Sequence, residues 1–411
     1  MQSANVRVHH TDPLFETIAQ ARRLVVKILA VAALAGGVVG LVEAANFRIS
    51  VLPDTQFYSD TGDDGSVYFG LEDPFNYQVQ WIVDNIENRG TEFVIHLGDI
   101  VDDSDEVGQW VFADAAMRRL DDALQPLDAA GIPYGVVRGN HDGPIVGDAT
   151  FLDWFGPDRF SGKPTYRGSG PYGFNSYHVF EVQGQPFLVL LTDWTMDAAE
   201  VAWARSILEV FPKVPTIFVS HQIIGAVDSS IVPATANNAT DTGNGEFLWD
   251  ALIKDHDQVF LTLNGHLATA AWRVKSNAAG NDVLQVLADY QQQFRNGAGY
   301  LLELTLDTET GTIAAETFSP WLENARSSLP DALLRRAPPT RLTGPSNAFS
   351  VNLDFSEARF CTSIEACGLA EPPGATVPVL PVAGLVAVLA AIAGLGLATG
   401  KRRVGHTHRM R

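Results

Sequence analysis

The stretch Glu92-Phe93-Val94-Ile95-His96-Leu97-Gly98-Asp99-Ile100-Val101-Asp102 decides the fold. Its apolar run, Phe93, Val94, Ile95 and Leu97, predicts a buried strand. Gly98 lets the backbone turn sharply, and Asp99 and Asp102 follow just past the strand end. Ligands of open α/β sheets bind outside the carboxyl ends of the strands. A carboxylate there is placed to bridge two cations. Four other apolar runs end in the same way. Phe47 to Leu52 leads into Pro53-Asp54-Thr55-Gln56, and Pro133 to Val137 into Gly139-Asn140-His141-Asp142. Thr216 to Val219 leads into Ser220-His221, and Val259 to Leu263 into Asn264-Gly265-His266. A single Gly-Asp or Gly-His carries little information. Five strand-end ligands in order predict one metal-binding edge.

These residues bring a family into view. The motifs Asp54-x-Gln56, Gly98-Asp99-x-x-Asp102, Gly139-Asn140-His141-Asp142, the lone His221 and Gly265-His266 resemble the calcineurin-like metallophosphoesterase superfamily. The likeness runs from about Asn46 to at least Pro320 and on toward Phe360. Pro53-Asp54-Thr55-Gln56 is similar to the first motif of a bacterial, exported subgroup. The resemblance implies an α/β fold of two packed mixed β-sheets flanked by helices, a four-layer sandwich. It implies divalent or trivalent Mn, Fe or Zn, one or two ions, which suit carboxylate, imidazole and amide ligands. By position, Asp99 looks like the bridging ligand, and Asn140, His221 and His266 complete one site with it. Asp54, Gln56 and Asp99 would share the other site with a His at position 268. His141 resembles the general acid that protonates the leaving oxygen, with Asp142 orienting it and Asp102 tying down a ligand. Imidazole suits that transfer near neutral pH. His96 alternates away from the edge and reads as structural. Asp193, after the run Phe187 to Leu191, reads as a substrate-side group or a helix cap.

One motif departs from the family. Gly265-His266-Leu267-Ala268 lacks the second His of Gly-His-x-His, and Ala268 offers only backbone. Water or an unrelated side chain would have to take its place; Tyr58 and Thr269 are near in sequence. Two functions follow. The first is hydrolysis of phosphomonoesters or phosphodiesters by metal-activated water. The second is a metal- or ligand-binding domain of the same fold with weakened catalysis. A phosphoanhydride substrate is a third idea, and no nucleotide-recognition motif separates it from the first.

The chain has 411 residues, 46% of them apolar, enough to bury a large core. Its net charge is −20. Setting aside residues 1–44 and 382–411, which hold 9 basic and 3 acidic residues, the body carries −26. Such a body repels nucleic acid, since phosphate contacts supply most of that affinity. Its acidity also suits a solvated surface in a salty medium.

Residues 1–44 read as an export signal: basic Arg22, Arg23 and Lys27, an apolar stretch Ile28 to Val42, and small residues before a cut after Ala44. An uncleaved anchor is the alternative. Residues 45–360 read as the metallophosphoesterase domain and 361–381 as a linker. Cys361 and Cys367 either pair across a short loop of an exported protein or stay as two thiols. Val382 to Thr399 is nearly wholly apolar, near the lower limit for spanning a bilayer, and Lys401-Arg402-Arg403 suits a stop-transfer end. This tail, 382–411, resembles bacterial sorting signals of the PEP-CTERM class. The expected protein is exported to the cell envelope, held at the outer side of the cytoplasmic membrane or released by a processing protease. Within the domain, the pattern predicts helices from Pro74 to Arg89, over 110–130 and over 197–211. Strands over 270–275, 283–288, 299–306 and 312–318 are expected to form a second sheet. The aromatic-rich segment 143–173 reads as a lid or as a loop stapled down by its own rings.

Overall fold

The computed structural model describes residues 46–58, 74–123, 131–143, 150–226, 239–241, 243–326 and 331–369. The expected export segment 1–44 and the tail 382–411 lie outside the described residues. Among the described residues no helix is long and apolar enough to cross a membrane.

In chain order, β1 (Asn46–Leu52), β2 (Thr91–His96) and β3 (Tyr134–Val136) come first. Then come β4 (Tyr166–Ser169), β5 (Ser176–Val182), β6 (Gln185–Thr192) and β7 (Thr216–Ser220). A small pair, β8 (Ile224–Ala226) and β9 (Ala239–Asp241), precedes β10 (Val259–Asn264), β11 (Ala270–Ser276) and β12 (Asp282–Ala288). The last are β13 (Leu301–Asp307), β14 (Thr312–Phe318), β15 (Arg341–Leu342) and β16 (Phe349–Asn352).

They build two mixed sheets. The first runs β15-β14-β13-β1-β2-β3, with β16 also on β14; the second runs β11-β12-β10-β7-β6-β5-β4. β1, β2 and β3 are parallel to one another, as are β6, β7, β10 and β12. β1 is central, pairing antiparallel with β13 so that Asn46 faces Asp307 and Val51 faces Leu302. Strands 270–318 therefore do not form a sheet of their own. β11 and β12 extend the sheet of β7 and β10, while β13 and β14 extend the sheet of β1. Each apolar run fits either partner, so pairing is decided by the three-dimensional arrangement and not by proximity in sequence.

Between the sheets, Phe47, Ile49, Val51, Phe93 and Ile95 meet Phe187, Val189, Leu191, Ile217 and Val219 in one core. Helices Pro74–Arg89 and Val107–Asp122 cover the outer face of the first sheet through Phe75, Val79, Ile82, Trp110, Met117 and Leu120. Their 3.6-residue spacing puts these side chains on one stripe. Helix Ala198–Val210 and the segment 243–253 cover the second sheet through Val201, Ile207, Leu208, Leu248 and Leu252. The result is four layers, helix, sheet, sheet, helix, with apolar faces buried in three seams. Helix Val107–Asp122 ends before the expected residue 130: Ala123 already has extended backbone, and residues 124–130 lie outside the described residues.

The aromatic segment resolves into short helices Thr150–Phe155 and Pro157–Phe160 and strand β4. Phe151, Phe155 and Phe160 are buried in the same core as Trp110 and Tyr134. These rings staple the described part of the segment to the first sheet. Cys361 and Cys367 are disulfide-bonded. The expected linker begins as packed structure: Cys361, Cys367 and Leu369 lie against the second sheet's outer core, and Cys361 N donates to Lys213 O at 2.9 Å.

Candidate metal centre

The parallel strands of both sheets end at one shared edge, and the polar residues gather there. Asp99 follows β2, Asn140 follows β3, His221 follows β7 and His266 follows β10. His221 is fully buried. Its Nδ1 donates to the Leu97 carbonyl at 2.8 Å, which leaves Nε2 as the ligating nitrogen, a common arrangement for a metal-binding imidazole. Around that Nε2 stand Asp99 Oδ2 at 3.1 Å, Asn140 Oδ1 at 3.2 Å and His266 Nδ1 at 3.2 Å. Lone-pair atoms of a carboxylate, an amide and two imidazoles thus converge on one point. A cation satisfies all four; a single proton on His221 satisfies one at a time. The ligand atoms of Asp99, His221 and His266 lie within 4.8 Å of one another. The donor set therefore fits Mn, Fe or Zn. Asp99 and His266 both hold left-handed backbone, φ 48° and 72°. Such strain persists where the surroundings over-determine it, commonly at functional sites.

Glycines let the edge close up. Gly98, at φ 90°, has no space for a Cβ, which would sit 2.8 Å from His221 Nδ1. A Cβ on Gly139 would meet Asp99 Oδ1 at 2.1 Å. His141 N donates to that same Oδ1 at 2.8 Å. The Asp99 carboxylate thus faces His221 with one oxygen and the Asn140-His141 turn with the other.

The second cluster surrounds Asp54, at the end of β1. Asp54 is buried and its Oδ1 accepts from Gln56 N at 3.0 Å. Gln56 Nε2 donates to Asp102 Oδ1 at 2.5 Å, so its Oε1 is the atom a cation would take. Asp102 holds the Gln56 amide in this orientation. Position 268 contributes no side-chain ligand, as the sequence implies. Tyr58 does not fill the gap: its hydroxyl accepts from Gly299 N at 2.9 Å.

His141 is half-exposed, and its Nδ1 donates to the Asp102 carbonyl at 2.7 Å. The Asp102 carboxylate lies 3.3 Å from the same nitrogen. Asp142 was expected to orient His141, but its carboxylate takes backbone N–H groups instead: Ile100 at 2.7 Å, Val101 at 3.2 Å and Gly139 at 2.9 Å. Asp142 is wholly buried, so it satisfies these amides and pins the two ligand-bearing turns together. Asp102 is the residue at the His141 ring. His96 holds the Asp99 turn from beneath: Gly98 N donates to its Nδ1 at 3.2 Å, and its Nε2 meets Thr55 Oγ1 at 3.0 Å.

The electrostatics suit a cation. Burial, then the charges of Asp289 and Asp99, push the Asp54 carboxyl well above the usual range. Burial and then Asp99 raise Asp142 to about 7. Burial acts upward on Asp99 too, but His221 and His141 together outweigh it and hold Asp99 below its ordinary value. Among the described residues no Lys or Arg pairs with Asp54, Asp99 or Asp142.

Two features were not expected from sequence. Arg138, after β3 of the first sheet, forms a two-pronged ion pair with Asp193, after β6 of the second, at 2.9 and 2.6 Å. Both are 2% exposed, and the guanidinium lies 3.8 Å from the centre of the Phe174 ring. Asp193 therefore clamps the sheets behind the site and caps no helix. The second is Asp289, directly after β12 and 1% exposed. The same rule that found the other ligands, an apolar run ending in a ligand, applies to Val283 to Asp289; the missing signal was a glycine.

Residues 47–266 match the model of the calcineurin-like phosphoesterases. The uncharacterized protein YvnB of Bacillus subtilis (strain 168) is 30% identical over 281 residues, 66% of this chain and 20% of that protein. The chain thus spans about a fifth of the length of this curated relative. Similar solved structures include the purple acid phosphatase PPD1 of yellow lupin seeds, with 14% identity, 82% of this chain, 57% of that one and TM-score 0.43. A dimetal phosphatase from Danio rerio has 13% identity, 75% and 99% coverage and TM-score 0.42. GAP50, the anchor in the inner membrane complex of Plasmodium, has 12% identity, 81% and 98% coverage and TM-score 0.42. With more than half of its length matched and the ligands of the matched motifs meeting at one edge, the chain belongs to the calcineurin-like phosphoesterase family.

Proposed function

We propose that this protein hydrolyses phosphomonoesters or phosphodiesters, using metal-bound cofactor chemistry at the shared sheet edge. The observation that carries this reading is the convergence of Asp99, Asn140, His221 and His266 on one point, on the same turns that hold His141. Bound cations at such a centre supply a water of lowered pKa and positive charge for the phosphoryl oxygens. The chain's own residues do the rest. Asp99 spans the two ligand clusters. His141 keeps a proton at Nδ1 on the Asp102 carbonyl, so Nε2 of the doubly protonated ring is the nitrogen that passes a proton to the leaving oxygen, leaving a neutral imidazole. Asp102, with its carbonyl 2.7 Å and its carboxylate 3.3 Å from Nδ1, fixes the ring's position. Asp142 keeps the Asp99 and His141 turns in register.

We also propose that the protein works outside the cytoplasm. The Cys361–Cys367 disulfide supports an oxidising compartment, in line with an export signal in 1–44 and an anchor or sorting tail in 382–411. A binding domain with weakened catalysis is the second reading, and Ala268 is the residue that favours it.

The test assays the full chain with added Mn²⁺ on p-nitrophenyl phosphate and bis-p-nitrophenyl phosphate, beside His141→Ala. The expected result is turnover that falls at least about 100-fold in the variant, with bound metal unchanged. Metal binding without turnover on either ester would overturn the hydrolase in favour of the binding domain. Full activity in His141→Ala would remove His141 from the proton transfer.

A further inference from the structure

The family's second imidazole at 268 is missing, and a buried carboxylate, Asp289, stands across the Gln291 amide from Asp54. β12 runs parallel beside β10, with Leu287 opposite Asn264. The residue after β12 therefore emerges next to the 265–268 turn. That residue is Asp289, and its backbone N–H donates to the Thr269 carbonyl at 3.0 Å, one residue from Ala268. Its side chain is directed to the Asp54 side: Gln291 Nε2 donates to Asp289 Oδ2 at 3.1 Å and reaches Asp54 Oδ2 at 3.4 Å. Gln291 N also donates to Asp289 Oδ1 at 2.9 Å. One neutral amide side chain is thus shared by two buried carboxylates, and among the described residues neither has a Lys or Arg partner. Buried charges of one sign without a counter-charge are costly. Asp289 has no role in the proton transfer described above, and it lies beyond the stretch matched by the family model, which ends at 266.

We propose that Asp289 supplies the metal ligand that Ala268 cannot, completing a site with Asp54, Gln56 and Asp99. This rests on the metal-dependent reading above. The substitution changes the site's character. The ligands become three carboxylates and an amide oxygen, all hard oxygen donors, whereas the neighbouring site keeps two imidazoles. Oxygen-only sites suit Mn²⁺ or Mg²⁺, and imidazole suits Zn²⁺ or Fe. The two positions therefore differ in preference, and the oxygen site takes Mn²⁺.

The test measures metal bound per chain. The full chain is stripped with chelator, titrated with Mn²⁺ alone and analysed for bound metal and affinity, with circular dichroism as the check on folding. The wild type should bind two ions. Asp289→Asn, nearly isosteric, should lose one of them or bind it at least about tenfold more weakly. The double variant Ala268→His/Asp289→Asn should regain the second ion, because an imidazole at 268 returns the family's own ligand. Asp289→Asn with two ions at unchanged affinity, or a wild type holding one ion, would overturn the proposal and leave the hydrolase reading standing. Loss in Asp289→Asn without recovery in the folded double variant would also overturn it, since Asp289 would then only position Gln291 and Asp54. A wild type binding no metal would overturn the metal-dependent reading itself.

Discussion

Gly139 shows how little slack the site has. Its missing side chain is the space that the Asp99 carboxylate fills, with Oδ1 2.1 Å and N 2.5 Å from the position of a Cβ. The neighbours are the tightly held Asp99 carboxylate and its backbone, so nothing flexible can give way. Gly139→Ala should push Asp99 off its place between the two ligand clusters. A displacement of about 1 Å costs about 100-fold in rate. We expect kcat on p-nitrophenyl phosphate to fall by about that factor and bound metal to drop, with the circular dichroism spectrum kept. Unchanged kinetics would mean that the Asp99 turn is not held as described. At this scale the sequence was informative wherever a glycine accompanied the ligand: Gly98-Asp99, Gly139-Asn140 and Gly265-His266 announce a turn and a ligand together. Asp289 sits in Leu287-Ala288-Asp289-Tyr290 without one. Only the parallel pairing of β12 with β10, which a sequence does not state, brings it to the edge.

Among elements, helix Ala198–Val210 has the most explicit start. Asp197 Oδ1 accepts from Ala199 N at 2.8 Å and Glu200 N at 2.9 Å, and Glu200 Oε2 accepts from Asp197 N at 2.9 Å. This reciprocal capping satisfies helix-end amides that would otherwise go unpaired. Asn175 Nδ2 donates to the other Glu200 oxygen at 2.6 Å, and Asn175 Oδ1 accepts from Asp193 N at 2.9 Å. The cap is thereby joined to the ion-pair residue behind the metal edge. Asp197→Ala should cost about 1 kcal/mol, read as a lower urea midpoint with unchanged slope. No loss would mean that the cap is satisfied equally well by solvent. The helices and strands were legible from periodicity and caps: Phe75, Val79 and Ile82 form the buried stripe, and Gln183-Gly184, both at positive φ, turn β5 into β6. Partnership between strands was not, because alternating or continuous apolar runs say which residues are buried and not what buries them. The aromatic segment 143–173 lacked a period because three of its six aromatic rings, Phe151, Phe155 and Phe160, enter the core from short helices of six and four residues.

Over the whole molecule, the seam between the sheets holds a buried histidine remote from the metal edge. His178, on β5, is fully buried against Phe93, Phe160 and Tyr166, with ring centroids 5.3 to 5.6 Å away. Among the described residues its Nε2 has no hydrogen-bond partner. Burial, then the charges of Lys163 and Arg167, push its pKa down to about 3. The ordinary value is about 6.5. Between these limits the unfolded chain takes a proton that the folded protein refuses, so stability rises with pH there. The contribution is whole above about pH 6.5 and is lost as pH falls toward 3. His178→Leu should therefore be relatively more stable at pH 5 than at pH 7, by about 2 kcal/mol in the wild-type-minus-variant difference. Urea unfolding of both proteins at the two pH values measures it; an identical difference at both would place the acid sensitivity elsewhere.

The central place of β1 has a consequence in time. Its antiparallel neighbour is β13, and Asn46 meets Asp307 across that pairing. During synthesis β1 is made long before the partner that flanks it. Closing so long a loop and joining strands so distant in sequence slows folding. β2 can come alongside early, but one edge of β1 stays bare until Leu301–Asp307 has left the ribosome. The segment of the first sheet made earliest is thus among the last to be locked in place, and assembly of the Asp54 turn waits with it.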